Sequence, residues 1–236
     1  MKISVQIWDW PLRLFHWLLV LAVVGSYITG KLGGSLTDWH GRLGGLVLGL
    51  LVFRLIWGFV GTTHARFVNF FPTFSRLSSY FKGEWQGVGH NPAGALAVIA
   101  LLTVLAFLVG TGLFANDDIA FEGPLYHLLD KDQSDKLSGL HIKAFYLLLG
   151  LVVVHIAAIV FYQRIKNTDL VVPMLTGKKQ LPKTLAPSSI RPVNPLHFLI
   201  SLALSISVVW GVWGGGFAQY LAPLASNITS SSSSKT

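Results

Sequence analysis

Cysteine is absent from the 236 residues. That excludes disulfides, zinc fingers, thiolate-held iron–sulfur clusters, covalent haem attachment through C-x-x-C-H and cysteine nucleophiles. Charge is scarce as well. Asp, Glu, Lys and Arg make up 12% of the chain, against about 25% in an average soluble domain. A soluble domain of this length can bury a core, but it still needs a charged surface. With 52% hydrophobic residues and a mean hydropathy of +0.59, the composition is that of a membrane protein. No internal repeat, nucleophile–base pair, phosphate-binding glycine loop or soluble catalytic domain is visible.

What is there is a set of long apolar runs. Five are long enough to cross a hydrocarbon core as helices of about 20 residues: Leu12–Gly30, Gly41–Val60, Pro92–Ala115, Leu140–Gln163 and Pro195–Gly215. The expected fold is therefore an all-α membrane protein, a four-helix transmembrane bundle with a fifth transmembrane helix. Trp8, Trp10 and Trp17 crowd the start of the first run and no small-residue cleavage site follows it. This reads as an interfacial aromatic belt and not as a cleaved signal peptide.

The formal charge of +8 raises nucleic acid as a partner, but the positions of the charges give it another meaning. With the N-terminus inside, 12 of the 18 lysines and arginines fall on inside segments and span ends, and seven of the ten acids fall outside. The positive-inside rule then places the N-terminus in the cytoplasm and the C-terminus outside, facing lipid and not nucleic acid. Between spans, 65–89 carries aromatic and basic residues in the manner of an interfacial segment. The outer loop 116–137 is acidic, with a helical turn expected around 124–129. The organisation expected is a transmembrane domain over 1–183, a proline-rich linker over 184–194, the fifth helix over 195–216 and a serine-rich, disordered tail over 217–236.

Ionisable groups at membrane depth are costly and ask for partners. His141 and His155 are 14 residues apart on one predicted helix. Fourteen steps of 100° fall about 40° short of four turns, so the two share a face, about 21 Å apart along the axis. That spacing suits two groups stacked across a bilayer and is too wide for one metal ion. Topology supplies each with a partner on another helix: His40 with His141 near the outer face, His16 with His155 towards the inner one. Each pair joins two helices, as a flat macrocycle clamped between two imidazoles requires. The inner pair is the less well matched, with about 6 Å of depth to absorb.

Arg54 lies 14 residues after His40, on nearly the same face and at inner depth. A buried arginine needs an anion, and spans one to four offer no acid there; a haem propionate would be one. Arg42 and Lys143, beside the outer histidines, would serve the outer propionates. Gly44, Gly45 and Gly49 would let a porphyrin approach the helix, or would serve helix packing. His64, His90, His127 and His197 sit at interfaces or in loops, where solvated histidine is the default. Two other readings stay open on the residues alone. One is a membrane anchor subunit without its own cofactor; the other is a transporter whose histidines bind a metal or relay protons.

Several local patterns then converge on one family. Trp8-Asp9-Trp10-Pro11 runs into Phe15-His16-Trp17 in span one, and Trp39-His40-Gly41-Arg42 is followed by Arg54 in span two. Gly89-His90-Asn91-Pro92-Ala93-Gly94 precedes span three. His141 and His155 lie in span four, and Met174-Leu175-Thr176-Gly177-Lys178-Lys179 follows it. Over roughly residues 6–180 the chain resembles the bacterial membrane cytochromes b of the cytochrome b561 type, which are related to the b-type subunits of nickel–iron hydrogenases and formate dehydrogenases. The resemblance implies two non-covalent haems b with His16, His40, His141 and His155 as axial ligands of the iron. It implies residence in the bacterial cytoplasmic (inner) membrane and electron exchange with quinone or quinol. A redox protein partner is expected on the charged surfaces, either a periplasmic cytochrome at the acidic outer loop or a membrane-associated oxidoreductase subunit at the basic cytoplasmic face, so that the chain acts as an oxidoreductase component and not as a standalone enzyme. The fifth span and the tail lie outside the resemblance.

Overall fold

The computed structural model describes residues 2–119, 121–185 and 189–214. In chain order the elements are β1 Lys2–Gln6, α1 Trp10–Leu32, α2 Thr37–Val60, α3 Phe67–Phe70, α4 Phe74–Phe81, α5 Pro92–Gly112, α6 Lys131–Arg164, α7 Val171–Thr176, β2 Lys178–Pro182 and α8 Pro195–Trp213, with short 3-10 turns at Gly34–Leu36, Tyr126–Leu128 and Lys183–Leu185. Among the described residues, five helices are long and apolar enough to cross a membrane. They leave large apolar side chains exposed, such as Leu21, Phe59, Val154 and Trp210, which is the surface a lipid-facing helix needs. The molecule is an all-α membrane protein with one small two-stranded sheet.

The helix starts follow from capping chemistry. Asp9 precedes α1 and accepts from the Leu12 amide at 2.6 Å, Asn91 precedes Pro92 and accepts from Gly94 N at 2.6 Å, and Asn194 precedes Pro195 and accepts from Leu196 N at 2.9 Å. Each is an Asp or Asn N-cap, two of them followed by proline at the first helical position, where its missing N–H costs nothing. Asp130 caps α6 in the same way, through Gln133 N at 2.8 Å. This cap explains why α6 begins at Lys131, nine residues before the expected Leu140: hydropathy sees where a helix enters lipid, not where it starts. The acidic stretch outside that boundary is tied down by Asn116, which donates to Ser134 Oγ (2.6 Å) and Asp135 (2.9 Å), and by Lys131, which pairs with Asp118 and Asp135.

The sheet was not anticipated. β1 pairs antiparallel with β2, Lys2 opposite Pro182 and Gln6 opposite Lys178, burying Val5, Ile7 and Leu181 with Trp8, Val88 and Ile190 packed against them. Gly177 closes α7 at φ 82° and its carbonyl accepts from the Ile7 and Trp8 amides at 2.8 and 3.1 Å. A Cβ there would lie 2.6 Å from the Trp8 carbonyl, so the backbone and the space both call for glycine.

The chain divides into two compact units. The first comprises Met1–Leu18, Phe53–Thr103 and Leu148–Leu202, the second Leu19–Val52, Val104–Leu147 and Ala203–Thr236. In the first, α8 packs Phe198 on Trp10, Phe53 and Trp57, with ring centroids 4.7, 5.8 and 6.3 Å apart, and His197 Nδ1 donates to Val60 O at 3.1 Å. In the second, Trp213 and Val209 fill the face opened by Gly45 and Gly49, where a Cβ would stand 3.3 and 3.1 Å from them, while Gly44 faces open space. Two of the three glycines considered for a porphyrin thus serve helix packing. Residues 186–188 of the expected linker, the last residues of the expected fifth span and the serine-rich tail lie outside the described residues.

Candidate cofactor site

In the second unit, His40 on α2 and His141 on α6 meet with ring centroids 6.0 Å apart and planes at 78°. His40 Nδ1 is 2.8 Å from Ser26 O and His141 Nδ1 is 2.9 Å from Leu108 O. A carbonyl only accepts, so each Nδ1 carries the proton and each Nε2 keeps its lone pair. That is the tautomer of a metal-ligating histidine oriented by an outer hydrogen bond. Both seats are built alike. The accepting carbonyl belongs to a helix residue followed four positions later by glycine, Gly30 after Ser26 and Gly112 after Leu108. A Cβ on Gly30 would lie 2.9 Å from His40 Nδ1, and one on Gly112 would lie 3.0 Å from His141 Cε1. The sequence analysis did not single out these glycines, each one turn on from the carbonyl that accepts from a histidine.

The separation tests what could join the rings. Two metal–nitrogen bonds of about 2.0 Å, with about 1.1 Å from each nitrogen to its ring centre, put opposed imidazoles about 6.2 Å apart. The observed centroid separation is close to that value. Among the described residues, no group of three or more His, Asp or Glu side chains could hold a bare ion. Two imidazoles alone do not complete a transition-metal site, so a metal held here would have to bring its remaining ligands, as it does in a macrocycle. Arg42 stacks on Trp39 at 5.1 Å, and Lys143 is exposed. Lys31 lies over Phe145 and Tyr146 of α6 at 5.7 and 5.8 Å, a cation that the sequence analysis did not single out.

In the first unit, His16 on α1 and His155 on α6 lie within electrostatic reach of each other. His16 Nδ1 is buried without a hydrogen-bond partner, and its ring meets Trp17 edge-on at 5.1 Å. Because α1 begins at Trp10 and α6 ends at Arg164, the two histidines differ by three residues in distance from their helix ends, about 4.5 Å at 1.5 Å per residue. The depth mismatch read from the sequence shrinks accordingly.

Arg54 is 2% exposed, so it is buried in protein and does not reach out to the headgroups. Its guanidinium lies 4.5 Å from the Phe67 ring and 5.8 Å from Phe70. An acid does act on it: Asp9, just before the first span. Asp9 is itself occupied, accepting from Leu12 N, Trp57 Nε1 at 3.1 Å and Thr62 Oγ1 at 2.5 Å. His64 and His90 are half-buried, and one ring nitrogen of each, His64 Nε2 and His90 Nδ1, is shut off from solvent. Burial, with Arg54 and His64 close by, pushes His90 down to about 3, and burial lowers His64 too. His90 is therefore a neutral imidazole at physiological pH.

A sequence profile of the prokaryotic cytochrome b561 family matches residues 7–177. The chain is 25% identical over 215 residues to a protein of Rhizobium leguminosarum bv. viciae named as a probable Ni/Fe-hydrogenase B-type cytochrome subunit, covering 75% of this chain and 89% of that one. A protein of the same name from Rhodobacter capsulatus is also 25% identical, covering 75% and 82%. The probable Ni/Fe-hydrogenase 1 B-type cytochrome subunit of Escherichia coli K12 is 25% identical over 141 residues, covering 47% and 59%. No solved structure matches the chain. With five membrane-crossing helices and a family match over well over half its length, the chain belongs to the prokaryotic cytochrome b561 family.

Proposed function

We propose that this protein is a transmembrane electron carrier that holds two haems b and exchanges electrons between the quinone pool and a redox partner. The observation that carries the reading is the opposed pair His40–His141, 6.0 Å apart with both Nδ1–H groups fixed on helix carbonyls. A haem b held by two imidazoles supplies a one-electron iron couple with no open coordination position. His40 and His141 would hold the outer one through Nε2, and His16 and His155 the inner one. Arg54 would neutralise an inner propionate, Arg42 and Lys143 the outer ones. The helix carbonyls at Ser26 and Leu108 keep the ligand tautomers fixed, so valence changes need no rearrangement of the seats.

The charge pattern supports an inner-membrane protein with a cytoplasmic N-terminus and a periplasmic C-terminus. The names of the relatives support a membrane-associated oxidoreductase subunit such as a hydrogenase as the partner, in preference to a periplasmic cytochrome. The transporter reading is the weaker one, because the histidines occur in twos and no carboxylate joins them.

In proteoliposomes, a short-chain quinol is expected to reduce the haem absorption of the wild type far faster than that of His141→Ala. Reduction by dithionite but not by quinol would reject the quinone link. A finer check targets the seats. Gly30→Ala drives a methyl against His40 Nδ1, and is expected to lower the occupancy of one haem severalfold while the other haem stays. Full occupancy of both in Gly30→Ala would mean that the Ser26 hydrogen bond is dispensable.

A further inference from the structure

The first unit holds a polar cluster that neither histidine pair uses. Arg54 Nη1, His64 Nε2 and His90 Nδ1 are all buried and have no hydrogen-bond partner, and Arg54 is 2% exposed. They share one set of walls. The Trp8 ring lies 6.4 Å from that of His64 and 4.5 Å from that of His90. The Phe70 ring lies 4.3 Å from His90 and 5.8 Å from the Arg54 guanidinium. Arg54 and His64 both act electrostatically on His90.

The charge balance of this cluster is incomplete. A desolvated cation needs a contact anion. Asp9 acts on Arg54 from a distance, but its oxygens are engaged by Leu12, Trp57 and Thr62. Among the described residues, the ion pairs within contact distance are those of Lys131 with Asp118 and Asp135. Arg54 thus presents a free N–H donor between aromatic walls, and two imidazoles present ring nitrogens beside it. A neutral imidazole can place its proton on the nitrogen that faces an acceptor. Among the described residues, none of the three nitrogens meets an acceptor.

We propose that Arg54, His64 and His90 form a buried receptor for an oxyanion, which accepts hydrogen bonds from all three. Two sources share this chemistry: a propionate of the inner haem, or a phosphate group from solution or a lipid headgroup. The first source rests on the haem reading above and extends it to two histidines outside the ligand pairs; the second does not depend on it. The histidine of the Gly89–Gly94 motif thereby gains a role as an anion-binding residue.

The test uses detergent-purified protein as isolated, with Arg54→Met, Arg54→Lys and His90→Phe, and inorganic phosphate as the probe. Two quantities are read: the midpoint potential of each haem, and the unfolding temperature with and without phosphate. A propionate in the receptor predicts that Arg54→Met and His90→Phe move the potential of the same single haem and that phosphate has no effect. Arg54→Met moves it downward, because losing a cation favours the oxidised iron. A phosphate-class occupant predicts that added phosphate raises the unfolding temperature of the wild type but of neither variant. Should Arg54→Met fail to fold, Arg54→Lys keeps the charge on a different donor geometry and is expected to show the same effects at smaller size. Wild-type potentials in the folded variants, with no phosphate response in any protein, would overturn the proposal. A preparation without haem would reject the cytochrome reading, and the phosphate response alone would then decide.

Discussion

Replacing His141 with alanine is expected to halve the haem content of the purified protein, from two per chain to one, and to leave a spectrum from the remaining haem. The seat leads to this expectation. The imidazole is fixed by its Nδ1–H on Leu108 O at 2.9 Å and lies 6.0 Å from the His40 ring, so alanine would remove one of the two proposed ligands and leave a gap beside the other. The site has no third histidine or carboxylate to step in, since no larger ligand group occurs among the described residues. The rest of the second unit does not depend on the ring: Tyr27 stacks on Phe145 at 5.7 Å, and the Asn116–Ser134 ties hold the loop. His155→Ala is expected to remove the other haem, and the double variant to have none. Pyridine haemochrome per polypeptide reads all three. Equal losses of both haems in His141→Ala would mean that the pairs are not independent, and the assignment of ligands by depth would then be wrong.

The second large effect concerns folding. Asp9→Ala is expected to lower stability by about 3–5 kcal/mol, the usual cost of removing one partner from a buried charged network. One carboxylate serves three donors: the Leu12 amide that opens α1, Trp57 Nε1 near the end of α2, and the Thr62 hydroxyl. Trp57 is 0% exposed, so its N–H has no water to turn to, and an unsatisfied buried donor costs about 1–3 kcal/mol. Arg54 also loses the acid that acts on it. Asp9→Asn keeps the cap oxygen and loses the charge, and should cost less than half as much. Thermal unfolding in detergent ranks wild type above Asp9→Asn above Asp9→Ala. A melting temperature for Asp9→Ala within a degree or two of the wild type would show that the network contributes little.

How much of this was legible in the sequence depends on the range of the interaction. The spans were, because lipid imposes a run of apolar residues on each helix and the chain has little charge to obscure it. The start of α6 was not, because residues 131–136 are all polar and their helix is opened by the Asp130 cap. The β1–β2 pairing was hidden because it joins two five-residue segments more than 170 positions apart, and short alternating runs such as Ile3 and Val5 carry a weak signal. Depth counting brought His40 opposite His141 and His16 towards His155, yet it said nothing of the carbonyl seats, which require knowing which residue of α1 or α5 faces each ring.

The buried end of the first unit was misread for a related reason. His64 and His90 flank polar, glycine-containing stretches that look solvated in one dimension, whereas Trp8 and Phe70 close over them in three. Likewise, the sequence left Gly45 and Gly49 open between a porphyrin approach and helix packing, and Trp213 and Val209 of α8 decide for packing. A lone arginine in a hydrophobic helix did announce a need for an anion. That the nearest acid sits before the first span, and is already engaged, is a tertiary fact.

The central claim is that this chain carries two haems b, each between a pair of histidines. The most direct test is a dithionite-reduced minus oxidised spectrum of the purified wild-type protein, with haem quantified per polypeptide. A sharp b-type α band and two haems per chain is the result the account predicts. A well-folded protein with no haem band would contradict it and leave a cofactor-free membrane anchor or a transporter; one haem would retain the His40–His141 pair and reject His16 with His155.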